Sequence, residues 1–161
     1  MPEITPFLWF DDRAHEAARF YVSVFPNSRI LRTAPRNSAI PVEAGPVLTV
    51  EFELDGRRFI GFNGGPALRF TEAVSIWVAC RTQDEIDRYW EALSEGGAPS
   101  RCGWLKDRFG LSWQITPHDL LALLRGPNAE RVTAAVMGMT RLDGDALRAA
   151  AGDRTGERNE P

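Results

Sequence analysis

Two glutamates are the first candidates for chemistry in this sequence. Glu51 and Glu53 lie on the same side of an alternating strand pattern. If Glu51 were partly buried beside tryptophan, its pKa would rise and it would serve as a general base. The alternative is an exposed strand face on which Glu51 forms an ion pair with Arg57 or Arg58. Glu51 is therefore the catalytic candidate, and the sequence leaves open whether any catalysis occurs.

The cysteines and histidines form no recognisable nucleophilic or metal-binding motif. Cys102 lies near Lys106, whose charge would favour the thiolate, but no histidine stands at a Cys–His spacing. We expect Cys80 and Cys102 to be reduced thiols of a cytoplasmic protein, with a disulfide between them as the alternative in an oxidising compartment. His15 and His118 fall on predicted helices and are expected at the surface.

The elements that would position these residues occur twice along the chain. Residues 4–10 predict a strand that leads into a helix capped by Asp12, and residues 74–80 predict a second strand. The helix after the second strand begins with a capping box formed by Thr82 and Glu85. A repeated unit of this size needs a partner to bury its apolar face, so we expect two copies to share one sheet.

Each predicted helix is followed by a hairpin. Residues 47–54 alternate in polarity and lead through Asp55-Gly56, a typical two-residue turn, into a return strand that ends at Asn63. Residues 102–105 and 111–116 predict the second hairpin. Both halves therefore have the order strand, helix, strand, strand, strand.

These patterns predict four segments: a first module over 1–72, a second over 73–126, a helical extension over 127–151 and a disordered tail over 152–161. Within the extension, residues 127–139 have helical periodicity.

Composition excludes several classes of protein. The net charge is −3, and no run of Lys and Arg alternates with aromatic residues, so we expect no nucleic-acid partner. No apolar stretch reaches the length of a membrane span, and the N-terminus has no signal-peptide pattern. We therefore expect a cytoplasmic protein with no membrane partner.

Several dispersed segments point together to a known family, and they lie at residues 4–10, 17–28, 62–66, 72–75, 102–107 and 109–114. They resemble the PhnB-like, or 3-demethylubiquinone-methyltransferase-like, branch of the vicinal oxygen chelate superfamily, which includes glyoxalase, bleomycin resistance proteins and extradiol dioxygenases. The resemblance covers one domain of about residues 4–139 and implies an α+β fold of paired βαβββ modules in a cupped mixed sheet, usually in a homodimer.

The resemblance also implies where metal ligands would lie. Metal-dependent members carry His and Glu on the first and last strands of each module. In this chain the matching positions are Thr5, Gly61, Ser75 and Gln114, which are poor ligands for a divalent transition metal. We therefore expect neither a metal nor another cofactor.

Strand alternation predicts an aromatic and neutral polar cleft between the modules. Such a lining would stack a flat ligand and orient it by hydrogen bonds, or it would simply fill the space as core. The predicted ligand-binding residues are Phe7, Trp9, Asn63, Ser75, Trp77 and Gln114.

Three functions are consistent with this cleft. The first is a metal-free homodimer that binds a small molecule. The second is an enzyme of unknown reaction, either the demethylubiquinone methyltransferase of the family name or a metal-dependent lyase-like or dioxygenase-like enzyme. The sequence has no Gly-rich turn between a strand and a helix of the kind that holds S-adenosylmethionine in doubly wound folds. The third is a structural dimer without a ligand.

Overall fold

The computed structural model describes residues 2–40 and 45–152. The chain divides into two compact units, Met1–Thr71 and Glu72–Pro161, so the second unit includes the C-terminal helices. Most of the predicted disordered tail, residues 153–161, lies outside the described residues.

The first unit is a four-stranded sheet with one helix. Its elements are β1 (Phe7–Phe10), α1 (Ala14–Val24), β2 (Arg29–Pro35), β3 (Val47–Leu54) and β4 (Arg57–Asn63). The strand order is β1-β4-β3-β2, with β1 and β4 parallel and the other pairs antiparallel. The predicted turn joins β3 to β4, and both of its residues have positive φ, 48° at Asp55 and 71° at Gly56.

Helix α1 covers one face of this sheet. Its small residues allow close approach to the strands, and Tyr21 is fully buried against Phe52 at a centroid distance of 6.2 Å. The buried residues of this layer are Leu8, Phe10, Ala14, Ala17, Ala18, Tyr21, Phe25, Val50, Phe52, Leu54 and Phe59. We call the opposite face of the sheet, turned away from α1, the first far face.

The predicted cap of α1 is wrong. Asp12 lies before the helix, Arg13 occupies the N-cap position, and the Arg13 side chain forms no capping hydrogen bond. The backbone N–H of Ala14 instead donates to Oδ1 of Asn63 at 2.8 Å. One backbone donor of the first turn is therefore satisfied from the end of β4, which local sequence does not reveal.

The second unit repeats this connectivity and adds three short helices. Its elements are β5 (Ser75–Cys80), α2 (Gln83–Ser94), β6 (Ala98–Pro99), β7 (Trp104–Lys106), β8 (Ser112–Pro117), α3 (Leu120–Leu123), α4 (Ala129–Gly138) and α5 (Gly144–Ala151). The strand order is β5-β8-β7-β6, with β5 and β8 parallel. The face turned away from α2 is the second far face.

Helix α2 begins as predicted. The backbone N–H of Glu85 donates to Oγ1 of Thr82 at 3.2 Å, and the Glu85 carboxylate accepts from the backbone N–H of Arg81 at 2.6 Å. The predicted apolar stripe of the helix is buried, and it consists of Ile86, Tyr89, Trp90 and Leu93.

The C-terminal helices form a small core of their own. Helix α4 lies within the predicted segment 127–139, whereas the sequence did not distinguish α5 as a separate helix. Asp143 caps α5 by accepting from the backbone N–H of Ala146, and the helix is only eight residues long and rich in alanine. The core residues are Leu120, Leu123, Val132, Leu142 and Leu147.

The predicted α+β fold of paired βαβββ modules is confirmed. The expectation of one shared sheet is wrong, because the strands form two separate four-stranded sheets. In each sheet the first and last strands of the order are not hydrogen-bonded to each other, so neither sheet closes on itself. Within the described residues, no helix is long and apolar enough to cross a membrane.

Candidate functional site

Three large side chains form a row across the second far face. Trp77 on β5 is paired with Gln114 on β8, and Gln114 is paired with Trp104 on β7. Directly paired residues of neighbouring strands project from the same face. The row therefore places one amide between two indoles, and Trp77 remains 39% exposed.

A second row on the same face is smaller and more polar. Ser75 is paired with Ser112, and Ser112 with Lys106. The Gln114 amide nitrogen donates to Oγ of Ser75 at 2.8 Å, which links the two rows and fixes the orientation of the amide. The predicted residues Ser75, Trp77 and Gln114 thus come together on one face.

Sequence reasoning missed Trp104 and Lys106 as members of this face. The signal was present, because Leu105 between them is 1% exposed and alternation in β7 therefore turns its two neighbours to the opposite face. A strand of three residues is too short for the pattern to stand out.

A pocket of about 480 Å³ adjoins the β6–β7 side of this face. Trp104, Lys106 and Ser112 belong both to the far face and to the pocket lining. The other lining residues are Glu72, Ala98, Pro99, Ser100, Arg101, Cys102 and Leu105. This volume is in the range of small-molecule sites.

Two charged residues of the pocket lining, Lys106 and Glu72, form an ion pair. Nζ of Lys106 lies 2.7 Å from Oε1 of Glu72, and both side chains are exposed. The hydrogen bond from Lys106 is the largest cause that lowers the pKa of the Glu72 carboxyl below its ordinary value. Glu72 is therefore a carboxylate at neutral pH.

The first far face has a different composition. Phe7 and Trp9 both contact Phe62, at ring-centroid distances of 5.5 and 5.0 Å. The indole N–H of Trp9 donates to the backbone oxygen of Gly65 at 2.9 Å, which holds the ring against the 64–65 turn. Phe7 is 57% exposed. The predicted residues Phe7 and Trp9 thus lie together here, and their role in ligand binding stays a prediction.

Glu51 does not have the raised pKa required of a general base. Nε of Arg32 lies 2.6 Å from one carboxylate oxygen and Nη2 of Arg58 lies 2.8 Å from the other. The hydrogen bond from Arg32 is the main cause that lowers the pKa of Glu51. Of the two ion-pair partners that the sequence suggested, Arg58 binds Glu51, and Arg32 is a second partner that was not predicted.

Asn63 and Gly61 lie on the other face of the first sheet. Asn63 is 2% exposed, accepts from Ala14 and donates to the backbone oxygen of Val47 at 2.9 Å. A Cβ at Gly61 would contact Val50 and Ala14. The two-residue turn sets the register of β4, and this register turns Asn63 and Gly61 towards α1. Their predicted positions on the cleft side are therefore wrong.

The remaining predicted metal position, Thr5, donates a long hydrogen bond to Glu3 at 3.4 Å. In the described parts of the chain, no three His, Cys, Asp or Glu side chains lie close enough together to hold a metal ion. The donor set on the second far face consists of hydroxyl, amide and ammonium groups, which do not suit a transition metal.

The two cysteines are free. Burial raises the pKa of the Cys80 thiol to about 12, so this residue behaves as a small apolar side chain. Cys102 lines the pocket, and its sulfur lies 3.7 Å from the Met137 sulfur.

Comparisons with known proteins place this architecture in a family. The family model described as 3-demethylubiquinone-9 3-methyltransferase matches residues 2–116. The PhnB protein from Bacillus cereus is 33% identical over 71% of this chain and 99% of its own, with a TM-score of 0.65. No curated protein matches the chain significantly.

Two more distant structures share the fold alone. The PA1353 protein from Pseudomonas aeruginosa is 20% identical over 73% of this chain and 98% of its own, with a TM-score of 0.61. The fosfomycin resistance protein FosX from Listeria monocytogenes is 14% identical over 73% of this chain and 93% of its own, with a TM-score of 0.53. The chain therefore belongs to the PhnB-like 3-demethylubiquinone-9 3-methyltransferase family and has the fold of the vicinal oxygen chelate superfamily.

Proposed function

We propose that this chain is a metal-free small-molecule-binding protein whose ligand lies on the second far face. The observation that carries the proposal is the row of Trp77, Gln114 and Trp104 beside a pocket of about 480 Å³. A flat ligand that stacks on an indole would bury apolar area, and the oriented amide would select its polar groups.

The polar groups of this face suit binding better than acid–base catalysis. The hydroxyl and amide groups of Ser75 and Gln114 are neutral at physiological pH and already hydrogen-bonded to each other. Neither titrates near neutrality, which general acid–base catalysis requires. The proposal therefore includes recognition of a ligand and no chemical step.

Fluorescence titration tests this proposal. We expect a panel of flat aromatic and quinone-like compounds to change the tryptophan emission of the wild-type protein. Trp77→Leu and Gln114→Leu should each weaken binding about tenfold or more, since each removes a direct contact worth about 1.4 kcal/mol. Leu121→Ala, which removes an apolar side chain that is 48% exposed on α3, is the control and should leave affinity unchanged. A response that survives both far-face substitutions would contradict the proposal.

We further propose that the functional form is a cytoplasmic homodimer. β1 and β5 are edge strands, and the residues immediately before them include the exposed apolar side chains of Ile4 and Val74. Edge strands beside apolar surface favour association with a second copy. Sedimentation analysis should then give twice the chain mass of 17.9 kDa.

Methyl transfer is the second candidate, because the matching family model bears that name. The described strand–helix junctions at residues 11–13 and 81–82 contain no glycine and differ from the Gly-rich turn that binds S-adenosylmethionine in doubly wound folds. A rise in melting temperature with S-adenosylmethionine would favour this candidate over simple ligand binding.

Elemental analysis of the purified protein tests the metal-free part of the proposal. A stoichiometric transition metal would contradict it.

A further inference from the structure

We propose that the ligand of the second far face carries a carboxylate, and that this carboxylate binds Lys106 and Ser112 by displacing the side chain of Glu72. The inference rests on the proposed function, because it names the chemical class of the ligand for that face.

Ser112 gives the first indication of a ligand. It is 1% exposed, lines the pocket and, within the described residues, its Oγ has no hydrogen-bond partner. A buried hydroxyl without a partner destabilises the folded state, and such groups in native proteins call for an explanation. Ser75, which is paired with Ser112 across the strands, accepts from Gln114 and forms no hydrogen bond with the Ser112 hydroxyl. A ligand oxygen in the pocket would accept the hydrogen bond that Ser112 can donate.

Lys106 gives the second indication. Lys106 is paired directly with Ser112 between β7 and β8, and both residues line the pocket. A single ligand group can therefore contact both side chains. The group now bound to Lys106 is the carboxylate of Glu72, which is itself exposed and held at 2.7 Å. An exposed ion pair of this kind contributes little stability. Glu72 therefore shows which chemical group this ammonium binds and can be exchanged for a ligand carboxylate at low cost.

The charge balance of the pocket favours the exchange. Its charged lining residues are Glu72, Arg101 and Lys106. Arg101 is exposed and has no ion-pair partner among residues 2–40 and 45–152. When Glu72 moves away, two cations and no acid line the pocket, which attracts an anion.

The neighbouring row defines the rest of the ligand. Trp104 lines the same pocket and stands beside Gln114, so a carboxylate bound at Lys106 leaves the attached group next to an indole and an amide. A flat conjugated or aromatic acid fits this arrangement. A neutral aromatic compound of the same shape would gain the stacking contact but would not displace Glu72.

Calorimetric titration with two probes of matched shape tests the inference. Naphthalene carboxylate should bind the wild-type protein at least about tenfold more tightly than naphthalene carboxamide, because hydrogen bonds to charged groups contribute more than neutral ones. Raising the salt concentration should reduce this preference.

Four variants locate the effect. Lys106→Met should abolish the preference for the acid, and Glu72→Gln should tighten binding of the acid about two- to fivefold, because no internal carboxylate then competes. Ser112→Ala should weaken binding of the acid and raise the melting temperature of the free protein by about 2–4 °C. Ser94→Ala is the matched control, since Ser94 Oγ in α2 is also buried without a described partner but lies outside the pocket lining. It should raise the melting temperature without changing affinity.

Three results would overturn the inference. One is equal affinity for acid and amide with binding still dependent on Trp77, which would leave the proposed function standing. Another is weaker binding of the acid by Glu72→Gln, which would show that Glu72 supports the site. Failure of both probes to bind would reject the inference, and if the wider aromatic panel also failed, the proposed function would be rejected with it.

Discussion

The two units share one connectivity and use their polar side chains in opposite ways. On the first far face, Glu51 is bound by two arginines and Trp9 by a backbone oxygen. On the second far face, the Ser112 hydroxyl has no partner among the described residues and Trp77 is 39% exposed. Duplication of a scaffold therefore does not duplicate a binding surface. The side chains at equivalent strand positions decide which copy has groups available for a ligand.

The hairpins of the two units also differ, in what stabilises their turns. The β3–β4 turn depends on backbone conformation at Asp55 and Gly56. The β7–β8 connection depends on one side chain, because the buried carboxylate of Asp107 accepts from the backbone N–H groups of Phe109 and Leu111 and from the indole N–H of Trp113. The first turn therefore relies on backbone conformation, whereas the second relies on a buried side chain whose three donors lie within the next six residues.

The largest effect is expected from Asp107→Ala. It leaves three donors without their acceptor, so we expect the free energy of unfolding to fall by about 3–5 kcal/mol. Asp55→Ala should cost only about 1 kcal/mol, since it removes a residue type that tolerates positive φ and breaks no buried network. Urea denaturation followed by circular dichroism measures both. Equal losses for the two variants would contradict the distinction between the hairpins.

The predictability of the two hairpins follows from this difference. The bounds of β3 and β4 were predicted correctly, because alternation and Asp55-Gly56 are both local signals. The role of Asp107 was not predicted, because an aspartate in a polar turn is usually exposed, whereas this carboxylate is buried against the ring of the core residue Trp113. Composition of the turn alone gives no indication of a buried carboxylate.

Helix caps extend the comparison. Helix α2 is capped by the adjacent Thr82, whereas the first backbone N–H of α1, that of Ala14, donates to Asn63 from β4. Asn63→Ala should lower the free energy of unfolding by about 2–3 kcal/mol, because it leaves the Ala14 N–H and the Val47 oxygen without this partner. Thr82→Ala should cost about 1 kcal/mol, the usual value for a cap. Thermal denaturation of the two variants measures both losses of stability. A larger loss for Thr82→Ala would contradict the prediction that Asn63 contributes more to folding than Thr82.

The candidate site was predictable only in part, and for a physical reason. The prediction correctly placed Ser75, Trp77 and Gln114 on one face, because the alternation of side chains within a single strand is enough to assign their side. Asn63 and Gly61 were placed on the wrong face, because their side depends on register carried through the turn from β3. The pocket could not be predicted at all, since Glu72 reaches it from outside the strands.

The smallest effect concerns the charges of the first far face and appears in the pH dependence of stability. The pKa of Glu51 is lowered in the folded protein, first by the hydrogen bond from Arg32. Its contribution is therefore fully present above the unfolded-state value near 4.5 and is lost as the pH falls through the lower folded value. The difference in unfolding midpoint between wild type and Glu51→Gln should shrink as the pH falls from 7 to about 3.

Glu53→Gln is the control for this last comparison, because it removes the same charge from the same strand at a site bound by one arginine, Arg29. A pH-independent difference between wild type and Glu51→Gln would show that the charge of Glu51, and therefore its attraction to the two arginines, contributes nothing to folding. The first far face would then be as available to a ligand as the second, because displacing Arg32 and Arg58 from Glu51 would carry no cost in stability. A steeper decline for Glu51→Gln than for Glu53→Gln would instead support the view that the two arginines bound to Glu51 stabilise the first face.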